Sequence, residues 1–238
     1  DPRITRIGNR IYMTYVAFNG VNPPRVALTS IKVKDFVEGN FEWERPRLIT
    51  HPEIADKCCA LFPEKIRGKY LFFHRIFPNI WGDYTKDLKF ENGRFIFGRP
   101  LICIRPDKWD SRKVGAGPPP IKTSFGWILV YQAVSGWDPE FYKLGLTPEM
   151  FKVWDAYRYK IGIMVLDAKN PEKVIFRPDE PSLVPQTWYE WMIVYSCGAV
   201  INDGKLLVYY GGADYNVCVA DVELSEIKEA ISFSTGVV

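Results

Sequence analysis

Charged residues capable of chemistry stand in or beside short apolar runs of this 238-residue chain. Asp1-Pro2-Arg3-Ile4 places a carboxylate and a guanidinium two residues apart as the chain enters a strand. Ala60-Leu61-Phe62-Pro63-Glu64-Lys65-Ile66 ends in a Glu-Lys pair, and the aromatic run Tyr70 to Phe73 leads into His74-Arg75. An arginine in the middle of a strand is usually paired or functional. Trp109-Asp110-Ser111-Arg112-Lys113-Val114-Gly115-Ala116-Gly117 is rich in Gly and charge, so it is expected as a pocket-wall loop rather than a strand. Tyr209-Tyr210-Gly211-Gly212-Ala213-Asp214 closes an apolar run on a carboxylate. Carboxylates donate protons or bind vicinal hydroxyls, and grouped cations seat an anion. Each residue also has a plain role: Asp1 as a solvated chain end, Lys113 in a surface ion pair with Asp110, Glu64 paired with Lys65, Asp214 as a turn residue.

Other chemistries have less to work with. Two histidines make a histidine-rich metal site unlikely, and the five cysteines include no CxxC pair. Reduced buried thiols in a cytosolic protein are expected. A net charge of +3 without a basic run gives no footprint for nucleic acid. There is neither a signal-peptide pattern nor an apolar stretch near the roughly 20 residues of a membrane helix. Aromatic residues make up 15% of the chain and include eight tryptophans. For any single tryptophan, packing between sheets is favoured over stacking on a sugar.

The elements that must position these groups repeat. Four hairpins share one pattern: an apolar strand, a short polar or Gly turn, and a longer aromatic strand. Their second strands run Ile11–Val16, Tyr70–Arg75, Trp127–Gln132 and Leu206–Gly211. Gly and Asn in the turns supply the positive φ that tight hairpins demand. Third β-runs follow at Arg25–Ser30, Ile80–Tyr84, Tyr159–Leu166 and Tyr215–Val222. Poorer fourth strands are expected around Trp43–Ile49, Arg99–Cys103 and Val174–Arg177, and helical turns at Pro148–Asp155 and Ser225–Ala230. A repeated four-stranded unit is the signature of propeller blades. First strands of such blades line a central channel. The expected first-strand segments are Asp1–Ile4, Ala60–Ile66, Gly117–Lys122 and Ser196–Val200.

Taken in order, Asp1-Pro2-Arg3-Ile4, Ala60 to Ile66, His74-Arg75, Lys113-Val114-Gly115-Ala116-Gly117-Pro118-Pro119-Pro120-Ile121 and Tyr209 to Asp214 resemble glycoside hydrolase family 130 over nearly the whole chain. The run through the three prolines is the most specific piece. The resemblance implies an all-β, five-bladed β-propeller forming a single domain over residues 1–238, with about four blades present and a first blade absent. It implies an inverting mannoside phosphorylase, a glycosyltransferase-type enzyme that cleaves β-1,2- or β-1,4-mannosides with inorganic phosphate to give α-mannose 1-phosphate. Asp1 falls on the family's catalytic acid, which protonates the glycosidic oxygen through a sugar hydroxyl. Lys57, Arg75 and Lys113 fall on the basic phosphate ligands, supported by Gln132 and Tyr142. Arg3, Asp110 and Asp214 are the expected substrate-binding residues, with Arg3 equally open to orienting Asp1 or packing beneath the channel.

Two positions depart from the family's pattern. Lys57 stands where many phosphorylases carry Arg, which replaces a bidentate grip with a point charge. Gln132 stands where many members carry His. No metal or organic cofactor is implied, and phosphate is a co-substrate. The implied setting is cytoplasmic, with a mannooligosaccharide substrate, no nucleic-acid or membrane partner, and oligomers as often found in the family. Some relatives are inverting hydrolases that use water, and a non-catalytic glycan-binding propeller is the alternative from another class.

Overall fold

Each of the four hairpins read in the sequence forms the inner part of one antiparallel sheet. The structure is a computed structural model, and it describes residues 1–91, 93–135 and 158–235. The first sheet runs β1 (Arg3–Ile7), β2 (Arg10–Ala17), β3 (Arg25–Lys32) and β4 (Arg47–Leu48) in that order. The second runs β5 (Asp56–Leu61), β6 (Tyr70–Ile76), β7 (Asn79–Thr85) and β8 (Arg99–Ile102). In the third, β9 (Lys113–Ala116) and β10 (Ile121–Thr123) both pair with β11 (Gly126–Val134), which is followed by β12 (Lys160–Leu166) and β13 (Val174–Phe176). The fourth holds β14 (Val194–Asn202), β15 (Lys205–Gly212) and β16 (Asn216–Glu223). A short helix α1 (Val33–Val37) follows β3, and α2 (Leu224–Thr235) follows β16.

Strand order follows chain order in every sheet, so the chain builds one blade at a time in a four-blade propeller arrangement. The hairpin turns work as expected from their residues: Gly8 and Gly68 take φ of 59° and 77°, a region that costs glycine nothing. Apolar residues on facing sheets then fill three cores. Val26, Leu28, Leu61 and Phe72 join the first sheet to the second. Phe62, Phe73, Trp127 and Leu129 join the second to the third. Ile128, Val165, Leu206 and Val208 join the third to the fourth. Alternate residues of β11 thus enter two different cores, which is why all nine of its positions are buried.

Several elements differ from the sequence reading. The inner strands of the second and third blades begin earlier, at Asp56 and Lys113. Lys113–Ala116, expected as loop, is the strand β9, because its backbone pairs with Tyr131–Val134 whatever its side chains. Glycine belongs there because of packing. A Cβ on Gly115 would lie 3.0 Å from Cys58 Sγ and 3.4 Å from Arg75 Nη1. The inner strand then breaks at Pro118-Pro119-Pro120, where no N–H is available for the ladder, and resumes as β10. Helix α1 was not expected, and only Arg47–Leu48 of the expected fourth strand in the first blade pairs. The expected helical turn at Pro148–Asp155 lies outside the described residues.

Asp110 forms a buried polar node beneath the third blade. It is 0% exposed. Its Oδ1 accepts from Arg105 Nε at 2.9 Å, and its Oδ2 accepts from Arg177 Nη2 at 2.6 Å and from Tyr131 Oη at 3.2 Å. One carboxylate thus ties the loop after β8 to the segment after β13. Glu64 likewise pairs with Lys122 rather than with Lys65, whose ammonium sits 4.7 Å from the ring centre of Tyr70.

Two stability outcomes are expected. Phe62 is 0% exposed and packs edge-on to Phe73 and Trp127 at 4.9 and 5.1 Å, so Phe62→Ala should destabilise by about 3–5 kcal/mol in urea unfolding. Asp110→Asn leaves two arginines facing a neutral amide and should lower stability by about 3 kcal/mol. An unchanged unfolding midpoint in that variant would contradict the role given to the node.

Candidate active site

The inner strands all begin on one face of the propeller. Asp1 lies just before β1, Lys57 is the second residue of β5, Lys113 the first of β9, and Tyr195 the second of β14. Antiparallel pairing brings the far ends of the second strands back to that face, so Arg75 pairs with Lys57 and Gln132 with Gly115. Topology alone therefore gathers residues from distant parts of the chain.

Lys57 and Arg75 stand directly opposite each other on neighbouring strands. Like charges in that position repel. Among the described residues, neither forms an ion pair with a carboxylate. Instead both act on Tyr159, whose phenol feels the charge of Arg75 more strongly and that of Lys57 less. Lys113 approaches the same ring, its Nζ lying 4.5 Å from the Tyr159 centroid. Three cations from three strands thus meet around one tyrosine. Nearby Cys58 is the main reason that Arg75 holds its proton more tightly than usual; burial opposes this, and Tyr195 and Tyr159 add to it.

A β-bulge sets the second layer. The register of β5 slips between Lys57 and Ala60, so that Cys58 and Cys59 together oppose His74. Cys58 takes φ of 52°, an uncommon conformation for a non-glycine residue that turns its side chain toward the site. Its sulfur lies 3.0 Å from Tyr195 Oη and 3.7 Å from Gln132 Nε2. Burial pushes the Cys58 thiol up, but Arg75, Arg3 and the contacts with Tyr195 and Gln132 together hold it below its ordinary value. Gln132 is 1% exposed; its Nε2 donates to Ala116 O at 3.0 Å, while its buried Oε1 has no hydrogen-bond partner among the described residues. An orphaned buried acceptor of this kind fits a hydroxyl-bearing ligand.

On the other side of this bulge, His74 Nδ1 lies 2.6 Å from Asp56 Oδ2 and its Nε2 3.1 Å from Phe97 O. This buried pair packs behind Lys57 and Arg75 and stiffens the strand pair that carries them.

Asp1 is exposed at the mouth. Its Oδ2 accepts a hydrogen bond from Tyr195 Oη at 3.1 Å. Arg3 turns inward and is only 1% exposed. It donates from Nε to Gly117 O at 2.6 Å, from Nη2 to Ala116 O at 3.1 Å and from Nη1 to the backbone oxygen of Asp1 at 2.9 Å. Arg3 therefore braces the backbone of Asp1, and its burial argues against the expected contact with a sugar. Asp110, also expected to bind substrate, has its carboxylate filled by Arg105, Arg177 and Tyr131. Asp214 is exposed in the turn after β15, with φ of 54° for both Ala213 and Asp214. Ala213 N donates to Ile193 O at 3.0 Å, which keeps that turn beside the start of β14. Tyr142 lies outside the described residues.

Sequence reasoning missed Cys58, Tyr159 and Tyr195. Each sat on or beside an element already recognised, but a bulge or strand start decides which way it faces, and neither feature has a compositional signal. The tryptophans divide. Trp127 and Trp109 fill the core, whereas Trp188 and Trp191 are 86% and 71% exposed on the segment leading into β14.

Known proteins are similar to this chain in sequence and in fold. The family model described as glycoside hydrolase 130, beta-1,4-mannooligosaccharide phosphorylase, matches residues 1–232. A 1,2-beta-oligomannan phosphorylase of Thermoanaerobacter sp. (strain X514) is 35% identical over 235 residues, covering 96% of this chain and 69% of the relative. A beta-1,4-mannooligosaccharide phosphorylase of Ruminococcus albus is 27% identical, over 100% of this chain and 66% of its own. The crystal structure of the Listeria innocua beta-1,2-mannobiose phosphorylase in complex with beta-1,2-mannobiose superposes with a TM-score of 0.74 at 31% identity, over 98% of this chain. This chain spans 60% of that structure's length. On the match of all but its last six residues to the family model, the chain belongs to glycoside hydrolase family 130.

Proposed function

We propose that this chain forms the larger part of an inverting mannoside phosphorylase that cleaves β-1,2- or β-1,4-linked mannosides with inorganic phosphate, releasing α-mannose 1-phosphate. The observation that carries the proposal is the meeting of Lys57, Arg75 and Lys113 at Tyr159, on the same face as Asp1. In inverting phosphorolysis the protein supplies no nucleophile, since phosphate attacks the anomeric carbon itself. It supplies an acid on one side of the sugar and an anion seat on the other. Two cations held opposite each other with no carboxylate partner among the described residues are relieved by a bound dianion, so the repulsion between Lys57 and Arg75 favours phosphate occupancy. Gln132 Oε1 lacks a donor that a protonated phosphate oxygen or sugar hydroxyl supplies.

In this assignment Asp1 protonates the leaving oxygen through a sugar hydroxyl, Arg3 fixes its backbone, and Asp214 binds sugar hydroxyls at the rim. Tyr142, which the resemblance sets beside the phosphate, lies outside the described residues. The relatives' names support both linkages. The same proposal takes the four sheets as four of five blades, supported by relatives that extend beyond the matched region. It takes phosphate as co-substrate with no metal or organic cofactor, and a cytoplasmic setting is supported by five unpaired cysteines. Homo-oligomers remain an expectation from the family.

The decisive experiment follows mannobiose turnover by the full chain with and without inorganic phosphate. Phosphate-dependent appearance of mannose 1-phosphate is expected; free mannose as the product would favour the water-using alternative. Asp1→Asn should reduce turnover by about 10²- to 10⁴-fold with substrate binding retained. A non-catalytic glycan-binding propeller would leave its ligand affinity untouched by that change and show no turnover to lose. Arg75→Ala should raise the KM for phosphate by about tenfold or more, with a smaller effect on the KM for the mannoside.

A further inference from the structure

One side chain joins the acid to the anion seat, and no role has been given to it. Tyr195 Oη donates to Asp1 Oδ2 at 3.1 Å, lies 3.0 Å from Cys58 Sγ and accepts from Arg3 Nη2 at 3.4 Å. Its ring packs edge-on to Tyr159 with centroids 5.6 Å apart, and Tyr159 is the residue around which the three cations gather. Among the described residues, the Asp1 carboxylate has no other side-chain partner. We propose that Tyr195 is a positioning residue for the acid, its hydroxyl aiming the Asp1 carboxylate and setting how readily that carboxyl releases its proton.

The geometry dictates the direction of the hydrogen bond. Arg3 can only donate, so it occupies a lone pair of the Tyr195 oxygen and turns the phenolic hydrogen toward an acceptor. An ionised carboxylate is acceptor-only, whereas the Cys58 thiol can itself donate to the second lone pair of the Tyr195 oxygen, which leaves the phenolic hydrogen for Asp1. The charged and titratable groups facing Tyr195 are Arg3 on β1, Cys58 on β5, Arg75 on β6 and Tyr159 just before β12. Burial first, and then Cys58, push the phenol well above its usual value despite Arg3 and Arg75. Tyr195 therefore remains a proton-bearing donor throughout any working pH range. A donor aimed at the ionised form of a carboxyl makes that carboxyl a stronger acid. It also limits the directions in which the carboxylate can turn, in a site where small misplacements are costly.

The inference rests on Asp1 being the acid, and an acid is needed whether phosphate or water accepts the sugar. The test is the pH dependence of mannobiose cleavage by the full chain with Tyr195→Phe, which keeps the ring against Tyr159 and removes only the hydroxyl. The expected result is a fall in kcat of about tenfold or more, a KM for phosphate within about twofold of the parent, and an alkaline limb displaced to higher pH. The sign follows from the loss of a donor to the ionised carboxyl, which then keeps its proton to higher pH. Replacing Tyr195 alone with 3-fluorotyrosine strengthens the donor and should move the limb the opposite way. That variant differs by one atom, so it carries the test by itself if the phenylalanine variant fails to fold. An alkaline limb that stays in place in the fluorinated protein overturns the role of Tyr195 without touching phosphorolysis. Free mannose from the parent protein overturns phosphorolysis, and the displacement of the limb is still read on that hydrolysis.

Discussion

The channel face of this propeller depends on a buried arginine. Arg3 lies at the hub, where inner strands from different blades come close enough for one guanidinium to reach them. Its donors go to the carbonyls of Ala116 and Gly117, at the point where the third blade's inner strand leaves its ladder. A buried carbonyl without a donor costs about 1–3 kcal/mol, and a buried guanidinium without acceptors costs more. Each need answers the other, and the arginine's remaining nitrogen reaches the backbone of Asp1. Asp1 is therefore held by the same side chain that joins the first blade to the third.

From that hub the site is built of side chains that strand pairing forces together. Lys57 and Arg75 gain nothing from adjacency, since opposed like charges weaken a sheet. The buried apolar residues around them set the register: Ala60 pairs with Phe73 and Leu61 with Phe72, all fully or almost fully buried. The cores thus hold two cations in a position that their own electrostatics oppose. Asp56 and His74, buried on the opposite side of the same strands, reinforce that register with a 2.6 Å contact. Stored repulsion at a binding site is a reasonable use of packing energy, because a ligand of opposite sign releases it.

Much of the fold was legible because hairpins declare themselves locally. Alternating aromatic strands and turn glycines such as Gly8 and Gly68 located all four second strands to within a residue or two. First strands were harder. Lys113–Ala116 reads as loop because Gly and charge have low β-propensity, yet its pairing partner β11 is strong enough to impose a strand. Of the site, Asp1 and the three cations came from the resemblance, and the structure brings those cations together on the acid's face. Cys58 escaped notice because its direction depends on one extra residue in β5, and Tyr195 because only the ring of blades places it beside Asp1. Arg3 and Asp110 were expected among the ligands, with packing left open for Arg3, and burial gives each a structural task. A charged residue advertises a partner without saying whether that partner is a substrate or another part of the chain.

Pro118, Pro119 and Pro120 have a bearing on how an anion can be held here. Three successive imino acids supply carbonyl oxygens and not a single main-chain N–H. Many phosphate sites are lined by peptide amides at a glycine loop or a helix start. That option is closed at these three residues, whose backbone offers oxygen alone. Grip must come from long basic side chains reaching in from neighbouring strands, and a point mutation can alter it without disturbing the frame of the channel.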